Sequence, residues 1–280
     1  MPTKAEKYKA LGAMIIGGGG AANAAVSVVR LGGVASLATR IGRDHTGDMI
    51  IADLLTEGVN LDCIHRGDHA RSAFSSVFIS NDGERQIVNF RGEGLTDDPA
   101  FLNLPGNVDA ALADTRWDAG TKKTMAIAKA RGIPGIIDAE APVGLNQLAD
   151  ASHIAFSRQG LCELTGEPDI AKALKLASTM VSAWVCVTDG SAGVYVIDGH
   201  HIENIPAFPV DAVDTLAAGD IWHGAFALRL AQGSDEHGAI EFANAAAALK
   251  CRHFGGRKGC PDRAEVDCLL ASSDRSAIPR

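Results

Sequence analysis

Apolar runs and amphipathic segments alternate along most of the chain. The runs GIPGIID, HIAFS, AWVCVTDG and GVYVIDG are short and apolar, which predicts buried strands. Between them lie GTKKTMAIAKARG and DIAKALKLASTM, whose mixture of apolar and polar positions predicts helices. Such alternation is typical of an α/β fold with a mostly parallel central sheet. In these folds ligands bind beyond the carboxyl ends of the strands.

The N-terminal part of the chain has other patterns. Residues 17–31, GGGGAANAAVSVVRL, predict a glycine turn followed by a helix, and GVASLATRIG predicts a short strand. TGDMIIADLLTEGV predicts a helix that stops at Gly58. In residues 71–91 two β-rich runs flank NDGE, which predicts a β-hairpin. Because no linker, repeat or low-complexity segment interrupts the chain, we expect one domain over residues 1–280, with this hairpin as an appendage.

Composition and charge restrict the partners. The chain has 280 residues, 46% of them hydrophobic, and a net charge of -8, which fits a globular protein and disfavours nucleic acid. No apolar run approaches about 18 residues, so we expect no membrane span, and MPTKAEKYKA is no signal peptide. Six scattered cysteines without a C-x-x-C pair favour reduced thiols in the cytoplasm. A zinc site from Cys251, His253 and Cys260 is a weak alternative, because the spacing is poor.

One stretch near the C-terminus, VDTLAAGD at 213–220, combines small residues with two acids. Ala217, Ala218 and Gly219 stand where a helix is predicted to begin, and a helix start offers unpaired N–H groups and a positive dipole end. This turn could cradle a phosphate or the charge of a transition state. Asp220, in the first helical turn, could accept a proton from an attacking hydroxyl. Taken alone, the acids could equally well complement the helix dipole.

The motifs of the chain together resemble the PfkB-type, ribokinase-like carbohydrate kinases. VDTLAAGD resembles the signature D-T-x-G-A-G-D, and GGGGAANAAVSVVRLGG with IGRDHTGD resembles the other signature of that family. CVTDGSAGVYV matches V-T-x-G-x-x-G, and LTG and FANAAAALKC fit as well, in family order along essentially the whole chain. The resemblance implies a three-layer α/β sandwich with a small β lid. The lid would comprise segments 5–14 and 71–91 and would form homodimer contacts.

The resemblance also implies transfer of the γ-phosphoryl group of ATP, with Mg²⁺, to a sugar hydroxyl. Asp220 matches the catalytic base, and the backbone of Ala217, Ala218 and Gly219 matches the anion hole. Ala217 replaces the usual glycine, which is tolerable if its φ is negative. The remaining matches are Asp214 near the turn or the magnesium waters, Gly18, Gly19 and Asn23 toward the sugar, and Thr188, Gly190, Gly193 and Asn244 toward the nucleotide.

Each of these positions also has a purely structural alternative. Asp214 and Asn23 could simply cap helices, the glycines could only form turns, and Asn244 could pack between helices. No protein ligand for a metal is predicted. The N-x-x-E that often precedes L-T-G in the family reads SRQG here, Ser157–Gly160. Magnesium would therefore depend on phosphates, waters and other acids.

The first strand of the family, which carries a sugar-binding aspartate, has no counterpart before the glycine turn. Either the start codon is placed too late, or the native protein is shortened. In both cases we expect weakened sugar binding and an unpaired edge of the sheet.

Several strings resemble the sulfofructose kinases within the family, namely PTKAEKY, GERQIVN, ALADTRW and ALKCRHFGGRKGCPD. By this resemblance Lys7, Asn89 and Arg116 bind a sulfonate, an anion that suits cationic side chains. A ketose phosphate would need similar cations. The structural alternatives are a solvated Lys7, a surface ion pair for Arg116 and a pairing of Asn89 within the hairpin.

Two other function classes stay open at this point. A kinase for a neutral sugar or a nucleoside would leave Arg116 without an obvious task. A binding relic without catalysis is favoured by the missing strand and the missing N-x-x-E, whereas the intact Asp220 argues against it.

Overall fold

The computed structural model describes residue 4 and residues 6–79, 85–199 and 201–272. In this part of the chain the strands are β1 Thr39–Gly42, β2 Ile64–Gly67, β3 Phe74–Ile79, β4 Arg85–Phe90, β5 Ala111–Asp114, β6 Gly135–Ala139, β7 His153–Ser157, β8 Trp184–Thr188, β9 Val194–Asp198 and β10 His201–Ile205. The α-helices are α1 Gly20–Arg30, α2 His45–Thr56, α3 Asp118–Arg131, α4 Arg158–Thr165, α5 Ile170–Met180, α6 Ala218–Ala231, α7 Glu236–Cys251 and α8 Arg263–Ala271.

The central sheet has six strands in the order β10-β9-β8-β7-β6-β5. Strands β5 to β8 are parallel, while β9 and β10 continue the sheet as antiparallel neighbours. The helices α3, α4 and α5 connect the parallel strands. The predicted α/β fold with a mostly parallel sheet is therefore confirmed.

Side chains on the parallel strands alternate between two apolar layers, as the strand period of two requires. Ile136 and Ala155 belong to a cluster with residues of α6, α7 and α8. Ile137 and Ile154, which are adjacent to those residues on the same strands, belong to a cluster with residues of α3, α4 and α5. Full burial of one such isoleucine stabilises the fold by about 1.5–3 kcal/mol. The sheet thus lies between two helical layers, which is the expected three-layer sandwich.

The hairpin predicted within residues 71–91 is present. Strands β3 and β4 are antiparallel, with Phe74 opposite Phe90 and Ile79 opposite Arg85. The predicted turn at 81–84 lies outside the described residues. Every residue of β3 is exposed, so the hairpin projects from the rest of the fold. The other predicted lid segment, 5–14, contains no strand or helix in its described residues 6–14, which are all exposed.

The N-terminal half is less regular than the sequence indicated. The segment GVASLATRIG forms a strand only at β1, which pairs in parallel with β2 in a separate two-stranded sheet. Helix α2 ends at Thr56, and Gly58 follows with a φ of 77°, as its predicted role as a stop requires. In the described residues no strand precedes α1, and the six-stranded sheet ends at β5. No helix in the described part of the chain is long and apolar enough to cross a membrane.

Candidate active site

The predicted phosphate turn leads directly into helix α6. The helix starts at Ala218, and Ala217 occupies the preceding position. A Cβ added at Gly219 would meet no atom within 4 Å, so the turn faces open space. The first N–H groups of any helix lack intrahelical acceptors and lie at the positive end of its dipole. This backbone can therefore receive a phosphate, as the sequence indicated.

Ala217 has an unusual backbone conformation. Its φ is 67° and its ψ is 7°, in the left-handed region. The alanine would be tolerated without strain if its φ were negative. Its φ is positive, so this condition is not met. A left-handed conformation costs a residue with a side chain about 1–2 kcal/mol. The turn keeps this conformation because Ile221 N–H donates to the Ala217 carbonyl at 3.0 Å and Leu216 N–H donates to Asp214 at 2.9 Å.

Asp220 is held by a residue from α1. The Asn23 side-chain amide, which is buried, donates to Asp220 Oδ2 at 2.6 Å. Burial raises the pKa of the Asp220 carboxyl, and the hydrogen bond from Asn23 and the charge of His223 lower it. The charges of Glu140 and Asp114 raise that pKa further, and the net direction is upward. A carboxylate with a raised pKa is a stronger general base once it is ionised.

Two further carboxylates lie beside Asp220, at the carboxyl ends of the parallel strands. A Cβ added at Gly20 would lie 3.4 Å from Asp220 Oδ1, 3.7 Å from Asp114 Oδ2 and 4.0 Å from Asp138 Oδ2. Asp114 ends β5 and Asp138 is near the end of β6. The site thus occupies the edge of the sheet that this fold class predicts.

Sequence reasoning missed Asp138 and His223. His223 Nε2 lies 3.4 Å from Asp138 Oδ1, and both side chains are almost inaccessible to solvent, with 5% and 13% exposure. Burial raises the pKa of Asp138 to about 6; the neighbouring carboxylates add to this and His223 opposes it. A signal was present in the sequence, because a lone acid in the apolar run GIPGIID and a histidine in an apolar helix both need buried partners.

Asp214 orders the turn from beneath. Its Oδ1 accepts the Leu216 N–H, and its Oδ2 accepts the N–H groups of Gly255 and Gly256, both at 3.0 Å. The ammonium of Lys250, which is completely buried, lies 3.2 Å from the same Oδ2. Burial by itself would raise the pKa of Asp214, but these hydrogen bonds and the charge of Lys250 hold it below its ordinary value. Of the two roles considered for Asp214, the ordering of the turn is the one with direct support.

The predicted nucleotide-side residues lie around the β8–β9 connection. Thr188 ends β8, and its hydroxyl donates to the Phe156 carbonyl at 3.3 Å. Gly190 is exposed, and a Cβ added there would meet no atom within 4 Å. Gly193 has a φ of 96°, and an added Cβ would lie 2.3 Å from the Ile205 carbonyl oxygen. Gly193 is thus required for close backbone packing, while Gly190 leaves its surface open to a ligand.

Asn244 makes hydrogen bonds to other residues of the protein, and its predicted contact with the nucleotide stays a prediction. The residue is 4% exposed on α7. Its amide oxygen accepts the Trp222 indole N–H at 2.8 Å, and its amide nitrogen donates to the carbonyls of Ile205 and Pro206. Because these polar atoms are satisfied inside the protein, the structure supports the packing alternative.

The predicted sugar-side positions Gly18 and Gly19 lie at the start of α1. Both are exposed, and an added Cβ at Gly18 would meet no atom within 4 Å. Gly19 directly precedes the helix with a φ of 93°, a conformation that favours glycine. Their backbone therefore borders open space close to Gly20 and the three carboxylates.

The three residues predicted to bind an anionic group are all on the surface or near it. Lys7 is exposed, and Asn89 Oδ1 accepts the Ser75 hydroxyl at 3.2 Å across the hairpin. The Arg116 guanidinium donates to Glu140 Oε2 at 2.7 Å and to a backbone carbonyl. The surface ion pair considered for Arg116 therefore exists, and its partner is Glu140.

No group of three or more His, Cys, Asp or Glu side chains arranged to hold a metal occurs in the described residues. The zinc alternative at Cys251, His253 and Cys260 therefore gains no support. Ser157, at the start of the SRQG segment, caps α4 by accepting the Gly160 N–H at 3.0 Å. Magnesium, which keeps several waters and binds substrate phosphates, fits a site of this kind.

A parallel α/β sheet, an anion-receiving turn at a helix start and a partly buried carboxylate beside it are features that a phosphoryl-transfer site would need. Residues 14–263 match the model of the pfkB family of carbohydrate kinases. Ribokinase of Bacillus subtilis is 32% identical over 261 residues, which cover 91% of this chain and 87% of that protein. Fructokinase-1 of Zea mays is 30% identical over 288 residues, with 90% and 88% covered.

A crystal structure from Agrobacterium tumefaciens, provisionally described as a ribokinase, has a TM-score of 0.86 and 34% identity, and covers 96% of this chain and 91% of its own. The chain therefore belongs to the pfkB family of carbohydrate kinases. Members of this family are ATP-dependent phosphotransferases that use Mg²⁺, and this chain is accordingly an ATP-dependent carbohydrate kinase.

Proposed function

We propose that this kinase phosphorylates a hydroxyl of a sugar that also carries an anionic group, either 6-deoxy-6-sulfofructose or a ketose phosphate. The observation that carries the kinase chemistry is the partly buried Asp220 carboxylate, fixed by Asn23 beside the anion-receiving turn. The presence of an anionic group on the sugar is inferred separately, from Lys7, Asn89 and Arg116.

In the proposed mechanism, ATP with Mg²⁺ supplies the γ-phosphoryl group. Asp220 accepts the proton of the attacking hydroxyl. Its Oδ2 is held by Asn23, which leaves Oδ1, on the side of Gly20, for the substrate. The N–H groups at the start of α6 stabilise the negative charge that develops on the transferred group. Gly18 and Gly19 border the sugar, and Thr188 and Gly190 border the nucleotide.

The anionic group of the sugar would bind between the hairpin and the carboxyl end of β5. Arg116 lies two residues after the end of β5, and its side chain is 35% exposed, so it is accessible to a ligand. Its ion pair with Glu140, which is 60% exposed, stabilises the protein by only about 0–1 kcal/mol. A sulfonate or phosphate can therefore replace Glu140 as the partner of this guanidinium at little cost.

A kinase for a neutral sugar is the second candidate, and a specific observation favours it. In the structure Glu140 already neutralises Arg116, and Asp114, whose Oδ1 accepts the Arg116 backbone N–H at 2.9 Å, adds negative charge nearby. The named relatives are a ribokinase and a fructokinase. In that case Glu140 would keep Arg116, and the sugar hydroxyls would bind to the carboxylates.

The test is ATP turnover with sulfofructose, fructose 6-phosphate, tagatose 6-phosphate, fructose, ribose and adenosine. We expect the highest kcat/KM with an anionic sugar and loss of turnover in Asp220→Asn. Arg116→Met should raise KM for that sugar about 10- to 100-fold, because a charged hydrogen bond is worth about 1.5–3 kcal/mol.

The matched control is Arg263→Met, since Arg263 forms a surface ion pair with Asp267 on α8. This variant should keep the KM of the parent. Faster turnover on ribose or fructose, unaffected by Arg116→Met, would establish the neutral-sugar kinase instead. ATP binding without turnover on any of the six compounds would support the binding relic.

We also propose a homodimer, formed through the hairpin, in a reducing compartment such as the cytoplasm. The six cysteines, all within the described residues, are unpaired, as a reducing compartment requires. The hairpin exposes apolar side chains on both faces, and a two-stranded sheet cannot cover either face by itself. One face is Phe74, Phe78 and Val88, and the other is Val77, Ile79 and Ile87.

A further inference from the structure

We propose that His223 and Asp138 are positioning residues that share one buried proton, fix the phosphate turn and keep Asp220 ionised. The proposal rests on the role of Asp220 as base given above. It adds two residues that lie beneath the site.

The hydrogen-bond partners of His223 determine which ring nitrogen carries a proton. Nδ1 lies 2.8 Å from the Gly219 carbonyl oxygen, which can only accept a hydrogen bond. Nδ1 must therefore be protonated. Nε2 lies 3.4 Å from the Ala155 carbonyl oxygen, which also accepts only, and 3.4 Å from Asp138 Oδ1. The Asp138 carboxyl is the one neighbour among these that can change from acceptor to donor.

Two arrangements satisfy these contacts. Either Nε2 is also protonated and an imidazolium faces the Asp138 carboxylate, or Asp138 is protonated and donates to a neutral Nε2. Both contain the same number of protons, and in both the pair has no net charge. Both groups are nearly inaccessible to solvent, so an uncompensated charge on either would be costly.

The neutrality of the pair matters because its surroundings are acidic. Asp114 from β5, Glu140 directly after β6 and Asp220 from α6 all act on it electrostatically. Helix α1 contributes the neutral Asn23, whose Oδ1 lies 3.5 Å from the Arg257 guanidinium. If Asp138 were an unpaired anion, it would disfavour the ionisation of Asp220.

The same pair also ties the phosphate turn to the sheet. Gly219 is the second residue of α6, and the His223 ring binds the Gly219 carbonyl from one turn further along the helix. Through Asp138 and the Ala155 carbonyl, the ring is anchored on β6 and β7. The orientation of the anion-receiving N–H groups therefore depends on the protonated state of Nδ1.

The kinetic test is the pH dependence of kcat/KM in Asp138→Asn, His223→Asn and the double variant. Asp220 must be ionised, so kcat/KM rises with pH through its acidic limb. His223→Asn removes the partner of Asp138, so the acidic limb should move to higher pH by about half a unit or more. Asp138→Asn leaves His223 either neutral or cationic, so the acidic limb should stay in place or move to lower pH, and the double variant should lie between the two single variants.

His237→Asn is the matched control, because His237 is 53% exposed and pairs with Glu203 on the surface. The acidic limb of its kcat/KM profile should lie at the same pH as in the parent. The proposal would be overturned if the acidic limb lay at the same pH in His223→Asn and in the parent, or if it moved to higher pH in Asp138→Asn. A purely structural role would lower kcat without shifting the limb differently in the two variants.

A second readout needs no turnover. Nitrogen NMR of ¹⁵N-histidine-labelled protein should show a protonated Nδ1 for His223 near pH 7, with the resonance assigned by its loss in His223→Asn or by through-bond transfer. A ring protonated only at Nε2 would overturn the proposal, whichever variants fold. If the parent chain shows no sugar-dependent turnover, the proposed function fails, and this spectrum still decides the state of the pair.

Discussion

At the scale of single residues, the left-handed Ala217 is the clearest source of strain beside the site. Glycine adopts this conformation freely, although it gains about 0.5–1 kcal/mol of entropy in the unfolded chain. We expect Ala217→Gly to raise Tm by about 1–3 °C, since the relief of about 1–2 kcal/mol exceeds that loss. Differential scanning calorimetry measures the shift.

Ala218→Gly is the matched control for this prediction. Ala218 is the first residue of α6, in a right-handed conformation, where glycine costs about 0.5–1 kcal/mol. The neighbouring substitution should therefore lower Tm. A lower Tm in both variants would show that the strain at Ala217 is smaller than its φ of 67° indicates.

The sequence indicated Asp220 and its turn because small residues and an acid at a helix start are a local pattern. The sequence could not show which way the Asn244 side chain points, because the positions of the small-residue helix α7 look alike until their neighbours are known. Asp138 and His223 were missed for a related reason. They lie 85 positions apart and meet only when β6 packs against α6.

At the scale of elements, the buried ion pair between Lys250 and Asp214 joins the end of α7 to the loop before α6. Lys250→Met should lower the free energy of unfolding by about 3–5 kcal/mol, because it leaves a buried carboxylate without its countercharge. Urea denaturation at pH 7 measures this loss. Lys129→Met is the control, since Lys129 pairs with the exposed Asp150 and should change stability by about 0.5 kcal/mol or less.

The contribution of Asp214 should also depend on pH. Its pKa is lower in the folded protein than in the unfolded chain, so the folded state favours the ionised form. The resulting stability is present above the unfolded pKa of about 4 and is lost as the pH falls through the folded pKa. The difference in unfolding free energy between the parent and Asp214→Asn should thus shrink from pH 7 to pH 3. A difference that stays constant would contradict the depressed pKa.

Elements with strong periodicity were predictable and those with weak pairing were not. The strands GIPGIID and HIAFS are apolar throughout, which follows from burial on both faces of a parallel sheet. The strand predicted over GVASLATRIG is longer than the observed β1. Only the last four residues of that segment pair with β2. Strand pairing is a long-range property, so the local pattern could not limit the strand to Thr39–Gly42.

At the scale of the whole molecule, the hairpin β3–β4 has two exposed faces, for which we propose different partners. Asn89 stands opposite Ser75, and Val77 shares their face two residues further along the strand. Because Asn89 is a proposed substrate contact, we expect this face to close over the site. Closure would exclude water from the phosphoryl group. The opposite face, with Phe74 and Phe78, is then left for the second copy.

Two substitutions on adjacent residues of β3 separate these roles. Phe78→Lys places a charge on the proposed dimer face and should convert the dimer to a monomer, as measured by light scattering. Val77→Lys places the same charge on the site face and should keep the dimer but raise KM for the sugar. Phe78 and Val77 are 41% and 37% exposed, so neither change creates a buried cavity.

The parent chain must first be a dimer for this comparison to hold, and a monomeric parent would contradict the proposed assembly outright. A dimer that survives Phe78→Lys but dissociates in Val77→Lys would assign the two faces in reverse. Asn89 would then lie in the interface between the copies, and the proposed anion contact would lose its support from the hairpin. The oligomeric state of these two variants therefore tests the assembly and the substrate-binding face of the lid together.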